Sequence, residues 1–193
     1  TVEMRVLDSW CRVWFKQINL HQPKAAAAFC FYSSEIRSPK QVAMAHLYCR
    51  LLQQQLRANA FQLRMAGARY QLDVAEAGGI VLQVLGFRDK LHILARTVCQ
   101  TLSSLSLQSW RQVKHQQERA FRNAGRGQAY HQALKTLEEL LLQRPSISEL
   151  FEATSLLEEE DGTKLFAKFF SPGKFHVEGI IVGNLDCADA VQL

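Results

Sequence analysis

No apolar run in this sequence approaches the length of a membrane span, about 20 residues. The N-terminal Thr1-Val2-Glu3-Met4 has no charged leader followed by an apolar block, so no signal peptide is expected. It also lacks a starting methionine, which points to a piece cut from a longer chain. Four prolines and ten glycines in 193 residues are too few for a loop-rich or repetitive protein. No internal repeat or low-complexity run occurs beyond Ala25 to Ala28. No Cys-x-x-Cys is present, which removes a zinc ribbon or a thioredoxin-like site. The five cysteines (Cys11, Cys30, Cys49, Cys99, Cys187) are odd in number and far apart, and they predict reduced thiols in an intracellular, cytoplasmic protein. There is no Gly-x-Ser-x-Gly elbow. Gly125-Arg126-Gly127 lacks the spacing and the preceding strand of a phosphate loop. Lysine and arginine exceed the acids by 23 to 18 but are scattered, without interleaved aromatics, so no nucleic-acid surface is expected.

What is present suits a packed core: 48% hydrophobic and 21% charged residues. Residues 11 to 17 and 24 to 32 read as strands. The second is apolar on both faces and is expected to be central and covered on both sides. Ser38-Pro39 opens a long helix carrying Met44, Leu47, Tyr48, Leu51, Leu52 and Leu56, predicted to run toward Met65. Residues 69 to 77 and 80 to 87 read as a hairpin turning at Gly78-Gly79. Helices follow from Asp89, from Ser109 to Asn123, and from Tyr130 to Leu142. A capping box at Ser146-Ile147-Ser148-Glu149 opens another helix, and one more is expected from Asp161 or Thr163. Phe175 to Val182 is a last strand, and Asn184 or Asp186 caps a final helix. No linker divides the chain, so residues 1–193 are expected to form one α+β domain, with helices packed on a sheet.

Chemistry is harder to find. His115 and Glu118 sit three apart on one helical face, as do His46 and Cys49, but zinc needs three or four converging ligands and no third is visible. An exposed polar face or a satisfied core histidine explains either pair better. His21, His92, His131 and His176 stand alone. Asp89 reads as a helix cap or first-turn acid, and Glu158 to Asp161 as a solvated helix start.

Ordered landmarks then carry a resemblance. They are Trp14-Phe15-Lys16-Gln17, Pro23-Lys24, "AHLYCRLL", "NAFQLRMAGARYQL", Gly86-Phe87-Arg88-Asp89-Lys90 and "VEGIIVGN", which ends at Gly183-Asn184. Together they resemble the third, middle domain of the pitrilysin/insulinase group of M16 zinc metallopeptidases, over roughly residues 10 to 190. "VEGIIVGN" is similar to the nardilysin branch and "WFKQ" to the insulysin branch. The resemblance implies a two-layer α+β fold shared with LuxS-like domains: a mixed, mostly antiparallel sheet against several helices. It gives structural, motif-type roles to Trp14, Phe15, Lys16, Pro23, Lys24, Gly86, Phe87, Asp89, Lys90, Gly183 and Asn184.

Members of that group carry zinc in the first of four similar domains, on His-x-x-Glu-His with a Glu further on. In the equivalent helix here one His remains, His46. Cys49 stands where the general-base Glu would be and Arg50 where the second His would be. Arginine is always protonated and cannot ligate zinc. The resemblance thus implies no catalytic residue, no metal and no cofactor in this domain, with Zn2+ in the first domain of the parent. The expected role is to help form a closed chamber around small unfolded peptides. Its partners would be the other domains of the same polypeptide and the peptide substrate, with no nucleic acid and no membrane, and with homodimerisation of the parent left open. The alternatives are an inactive scaffold domain of a processing-peptidase-like complex and a free-standing intracellular binding module.

Overall fold

The computed structural model describes residues 3–7, 10–18, 21–75, 78–169 and 175–191. Among the described residues, six strands form one sheet: β1 (Glu3–Leu7), β2 (Cys11–Gln17), β3 (Lys24–Ser33), β4 (Arg69–Ala75), β5 (Gly79–Phe87) and β6 (Phe175–Gly183). The helices among the described residues are α1 (Pro39–Asn59), α2 (Phe61–Met65), α3 (Arg88–Ser103), α4 (Trp110–Ala124), α5 (Ala129–Leu142), α6 (Ile147–Ser155), α7 (Glu159–Phe169) and α8 (Cys187–Val191). The strand order is β1-β2-β6-β3-β5-β4, and β2 with β6 is the parallel pair. The sheet is therefore mixed and mostly antiparallel, as the α+β reading predicts. β1 adds an edge strand that the sequence reading leaves unassigned. Its five residues are too short for a firm periodic signal.

Strand alternation sorts the sheet into two faces. Val13 and Phe15 of β2, Ala25 and Ala27 of β3, Leu72 of β4, Ile80, Leu82 and Val84 of β5, and Val177 and Ile181 of β6 are all buried. Their registers place them on one side. β3 is central, between β5 and β6, but its other face corrects the expectation of full cover. Ala26, Ala28 and Cys30 are only half-buried, and Leu85 and Ile180, which flank them in register, are 43% and 44% exposed. Trp14 shares this open face and is half-buried, whereas its neighbour Phe15 points into the core. A run of alanines reads as two-sided burial because each methyl is compatible with either environment.

The covering layer begins with α1. Its capping box is complete: Ser38 accepts from the Gln41 amide, and the Gln41 side chain accepts from the Ser38 amide. Ala45, Tyr48, Cys49, Leu52 and Leu56 join the sheet's buried face together with Leu91, Leu94 and Val98 of α3. A second flank of α1 (Ala43, Met44, Leu47, Leu51) packs against Trp110 and Val113 of α4 and Leu150 of α6. One helix thus serves two apolar clusters.

Several boundaries differ from expectation. The long helix stops at Asn59, because Ala60 leaves helical geometry (φ −101°, ψ 12°) before α2 resumes. Gly79 is not in the hairpin turn. It pairs with Ala75 and Tyr32, and a Cβ there would lie 2.3 Å from the Phe31 carbonyl oxygen. Gly78 alone takes the positive φ, 84°. α7 begins two residues before Asp161, whose carboxylate reaches back to the Glu158 amide (3.1 Å) and also pairs with Lys40 (2.9 Å). Of the two candidates for the last cap, Asp186 serves: its Oδ1 accepts from the Asp189 amide at 2.9 Å.

Candidate functional site

Two places gather the residues singled out in the sequence. The first is a corner where β3 begins and β5 and β6 end. The Arg88 amide donates to the Pro23 carbonyl (2.8 Å), and the Asn184 amide to the Lys24 carbonyl (3.0 Å). The Lys24 ammonium lies 5.5 Å from the centre of the Phe87 ring. Gly183 has φ 147°, and a Cβ there would meet the Ala25 Cα at 2.5 Å. Gly86 is buried beside Ala68. Pro23-Lys24, Gly86-Phe87 and Gly183-Asn184 therefore meet in space. Asp89 is an exposed acid in the first turn of α3, 3.7 Å from Lys90, and Lys16 is exposed on β2. The sequence reading passed over the residue that ties this corner together. Arg88 forms ion pairs with Asp186 (2.9 Å) and Asp189, tying the start of α3 to α8. Its chemistry is that of a clasp.

The second place is a cleft of about 680 Å³ between the β4 edge, α1, α4 and α5. His46 and Arg50, one turn apart on α1, lie between its two apolar flanks and line the cleft. Gln117 and Phe121 of α4 face them, with the His46 and Phe121 rings edge-to-face at 5.6 Å. Burial, helped by the Arg50 charge and opposed by Asp73, lowers the His46 pKa to about 4, so the ring is neutral at physiological pH. Cys49 is turned toward the sheet, 4% exposed, and burial pushes its thiol up to about 12. Gln117 is 2% exposed, and its Oε1 is buried without a hydrogen-bond partner. Glu118, next to Gln117 on α4, does not line the cleft and pairs with His115 at 3.3 Å, with no third ligand beside them among the described residues. Gln117 had a signal in the sequence: Trp110, Val113, Gln117 and Phe121 are spaced 3-4-4 on one face of α4, and an amide occupies an apolar position of that stripe.

The donor set does not suit zinc. One neutral imidazole remains, beside a permanent guanidinium cation and a thiol held protonated by burial. Among the described residues no three His, Cys, Asp or Glu side chains gather to hold an ion. No step of metal-assisted chemistry is therefore assigned to this chain.

The family model for the middle or third domain of M16 peptidases matches residues 5–153. The chain belongs to that family. It is similar to the putative zinc protease mug138 of Schizosaccharomyces pombe, with 27% identity over 191 residues, or 96% of this chain and 19% of that protein. It is also similar to the insulin-degrading enzyme of Homo sapiens, with 29% identity over 182 residues, or 90% of this chain and 17% of that one. Insulin-degrading enzyme-like 1, peroxisomal, of Arabidopsis thaliana is 28% identical over 188 residues, or 94% of this chain and 19% of that one. The chain thus spans about a fifth of the length of these relatives. The crystal structure of pitrilysin shares the fold, with a TM-score of 0.87 at 18% identity, covering 98% of this chain and 20% of pitrilysin. A peptidase M16 inactive domain from Pseudomonas fluorescens follows, with a TM-score of 0.74 at 14% identity, covering 98% of this chain and 48% of that one. No helix among the described residues is long and apolar enough to cross a membrane.

Proposed function

We propose that these 193 residues are a single, non-catalytic middle domain of an M16 zinc metalloendopeptidase, and that they help to wall a closed chamber around small unfolded peptides. The observation that carries this reading is the side-chain set on α1: His46 and Arg50 line the cleft, and Cys49 is buried against the sheet. Within a middle-domain fold, the helix resembling the zinc-binding helix offers His46 beside Cys49 and Arg50, a set that neither binds zinc nor activates water. In this reading the zinc and the hydrolytic machinery reside in another domain of the same polypeptide, in keeping with relatives named as zinc protease and insulin-degrading enzyme.

Attachment to those other domains has a physical rationale in α5, none of whose residues is buried. Tyr130, Leu134, Leu137 and Leu141 form one stripe with 4-3-4 spacing, each at least half exposed. A leucine stripe facing water is costly, and in a chain spanning a fifth of its relatives the covering surface is another domain of the parent.

The test is zinc stoichiometry on the purified chain, with a fluorogenic unfolded peptide assayed in the same tube. Far less than one zinc per chain and no cleavage is the expected result, together with turnover in the full-length parent. One tightly held zinc per chain, with turnover lost in His46→Ala, overturns the reading.

A further inference from the structure

We propose that the cleft between α1, α4 and α5 is a binding site for a peptide carboxylate, held by the Arg50 guanidinium and the Gln117 carboxamide. The volume of about 680 Å³ lies in the range of small-ligand sites and is large enough for a few residues of peptide. Gln117 supplies the first observation. It is a polar side chain, 2% exposed, that lines the cleft with its Oε1 unpartnered. Buried amides are nearly always hydrogen-bonded, and an exception marks either a missing partner or a function. The two ends of the amide exchange by a flip, so it can present a donor to an anion at the cleft wall.

Arg50 supplies the second observation. Its guanidinium makes no hydrogen bond or ion pair among the described residues, and it lies next to His46, whose ring is neutral and adds no competing charge. A planar guanidinium matches a planar carboxylate through two parallel hydrogen bonds. The balance of the lining favours an anion. Arg37, Arg50, Lys135 and Arg144 give four positive charges against two from Glu138 and Glu139, a net of +2. The two acids repel a compact dianion such as phosphate, yet they can accept peptide N–H groups. Phe121 and Leu150 provide apolar wall for a peptide side chain. The carboxylate can come from a chain terminus or from an acidic side chain, and both present the same group to Arg50.

This site does not depend on the chamber reading, since binding is measured on the chain alone and the zinc assay bears on the other. The experiment is an NMR titration of the 15N-labelled chain with four probes. They are N-acetyl-trialanine with a free C-terminus, the same peptide as its C-terminal amide, N-acetyl-Ala-Glu-Ala-amide, and inorganic phosphate. Saturable shifts at the Gln117 side-chain amide are expected with the free-terminus probe, the glutamate probe or both, and which one binds tighter identifies the source. The amide-capped trialanine and phosphate should bind at least about tenfold more weakly. Arg50→Met and Gln117→Leu should each weaken binding at least about tenfold. Gln117→Leu places an apolar group where a buried amide lacks its partner, so its melting temperature should not fall. The proposal is overturned by any of three results. They are no saturation up to about 20 mM, the weak limit for so small a ligand; equal binding of the amide-capped trialanine; or equal binding of phosphate, which would mean a general cationic patch.

Discussion

Replacing His46 with leucine should flatten the acid side of this protein's stability curve. In the fold the ring is held neutral, with its pKa lowered from 6.5 to about 4, chiefly by burial and then by Arg50, with Asp73 pulling weakly the other way. In the unfolded chain it takes up a proton near 6.5. Between those values the unfolded state binds more protons, so stability rises with pH. The contribution is fully present above 6.5 and is lost as pH falls toward 4. Two and a half pKa units correspond to about 3 kcal/mol in all, of which about 2 kcal/mol is gone by pH 5. Urea melts of the native chain and of His46→Leu at pH 7 and pH 5 isolate this, because the other titrating groups cancel in the double difference. The native chain should lose about 2 kcal/mol more than the variant between the two pH values. An NMR titration of the His46 ring gives the same quantity directly. A ring that titrates between pH 6 and 7, or equal pH slopes for the two proteins, would refute the argument that α1, α4 and the Arg50 charge bury this histidine.

Further expectations concern packing. Leu94→Ala, at a position with no exposed surface in the α3–sheet cluster, should cost about 3 kcal/mol, and Trp14→Ala, half-buried on the open face, only about 1 to 2 kcal/mol; the reverse order in urea melts would mean the sheet faces are exchanged. Gly183→Ala should lose about 2 kcal/mol or more, since it combines a positive φ with a Cβ driven into Ala25, and an unchanged melting temperature would sink this account of the corner. Leu137→Asp on α5 removes no buried contact, so it should change the chain's own stability by less than about 0.5 kcal/mol, while weakening its association with the separately expressed remainder of the parent. A large loss of stability in the chain alone would place that leucine inside the domain's own core.

Most elements were legible because their burial has a simple period. The inner sheet face repeats every second residue, α1 repeats on the helical period, and both capping boxes, at Ser38 and Ser146, are local chemistry with a sequence signature. Errors fell where local pattern is compatible with more than one geometry. Gly78-Gly79 reads as a two-residue turn, but only the close approach of the Phe31 carbonyl shows that Gly79 is a strand residue whose missing side chain makes room for β3. Alanine at 25 to 28 cannot distinguish a covered face from an open one. The break at Ala60 leaves no mark in the apolar stripe, since the stripe continues at helical spacing from Leu56 through Ala60 to Leu63.

The site was legible along one helix and illegible between helices. His46 and Arg50 are a turn apart, so a spacing argument on α1 suffices to put them together. Gln117 reaches them across some seventy residues of sequence, and choosing it over Glu118 turns on the rotation of α4 about its axis, roughly 100° per residue. Charge alone favoured Glu118, the only carboxylate on that helix. The apolar stripe of Trp110, Val113 and Phe121 favours Gln117, because it fixes which side of α4 meets α1. Where a search for ligands and a search for the buried stripe disagree, the stripe decides. Core packing orients a helix far more strongly than a single surface polar contact such as His115–Glu118.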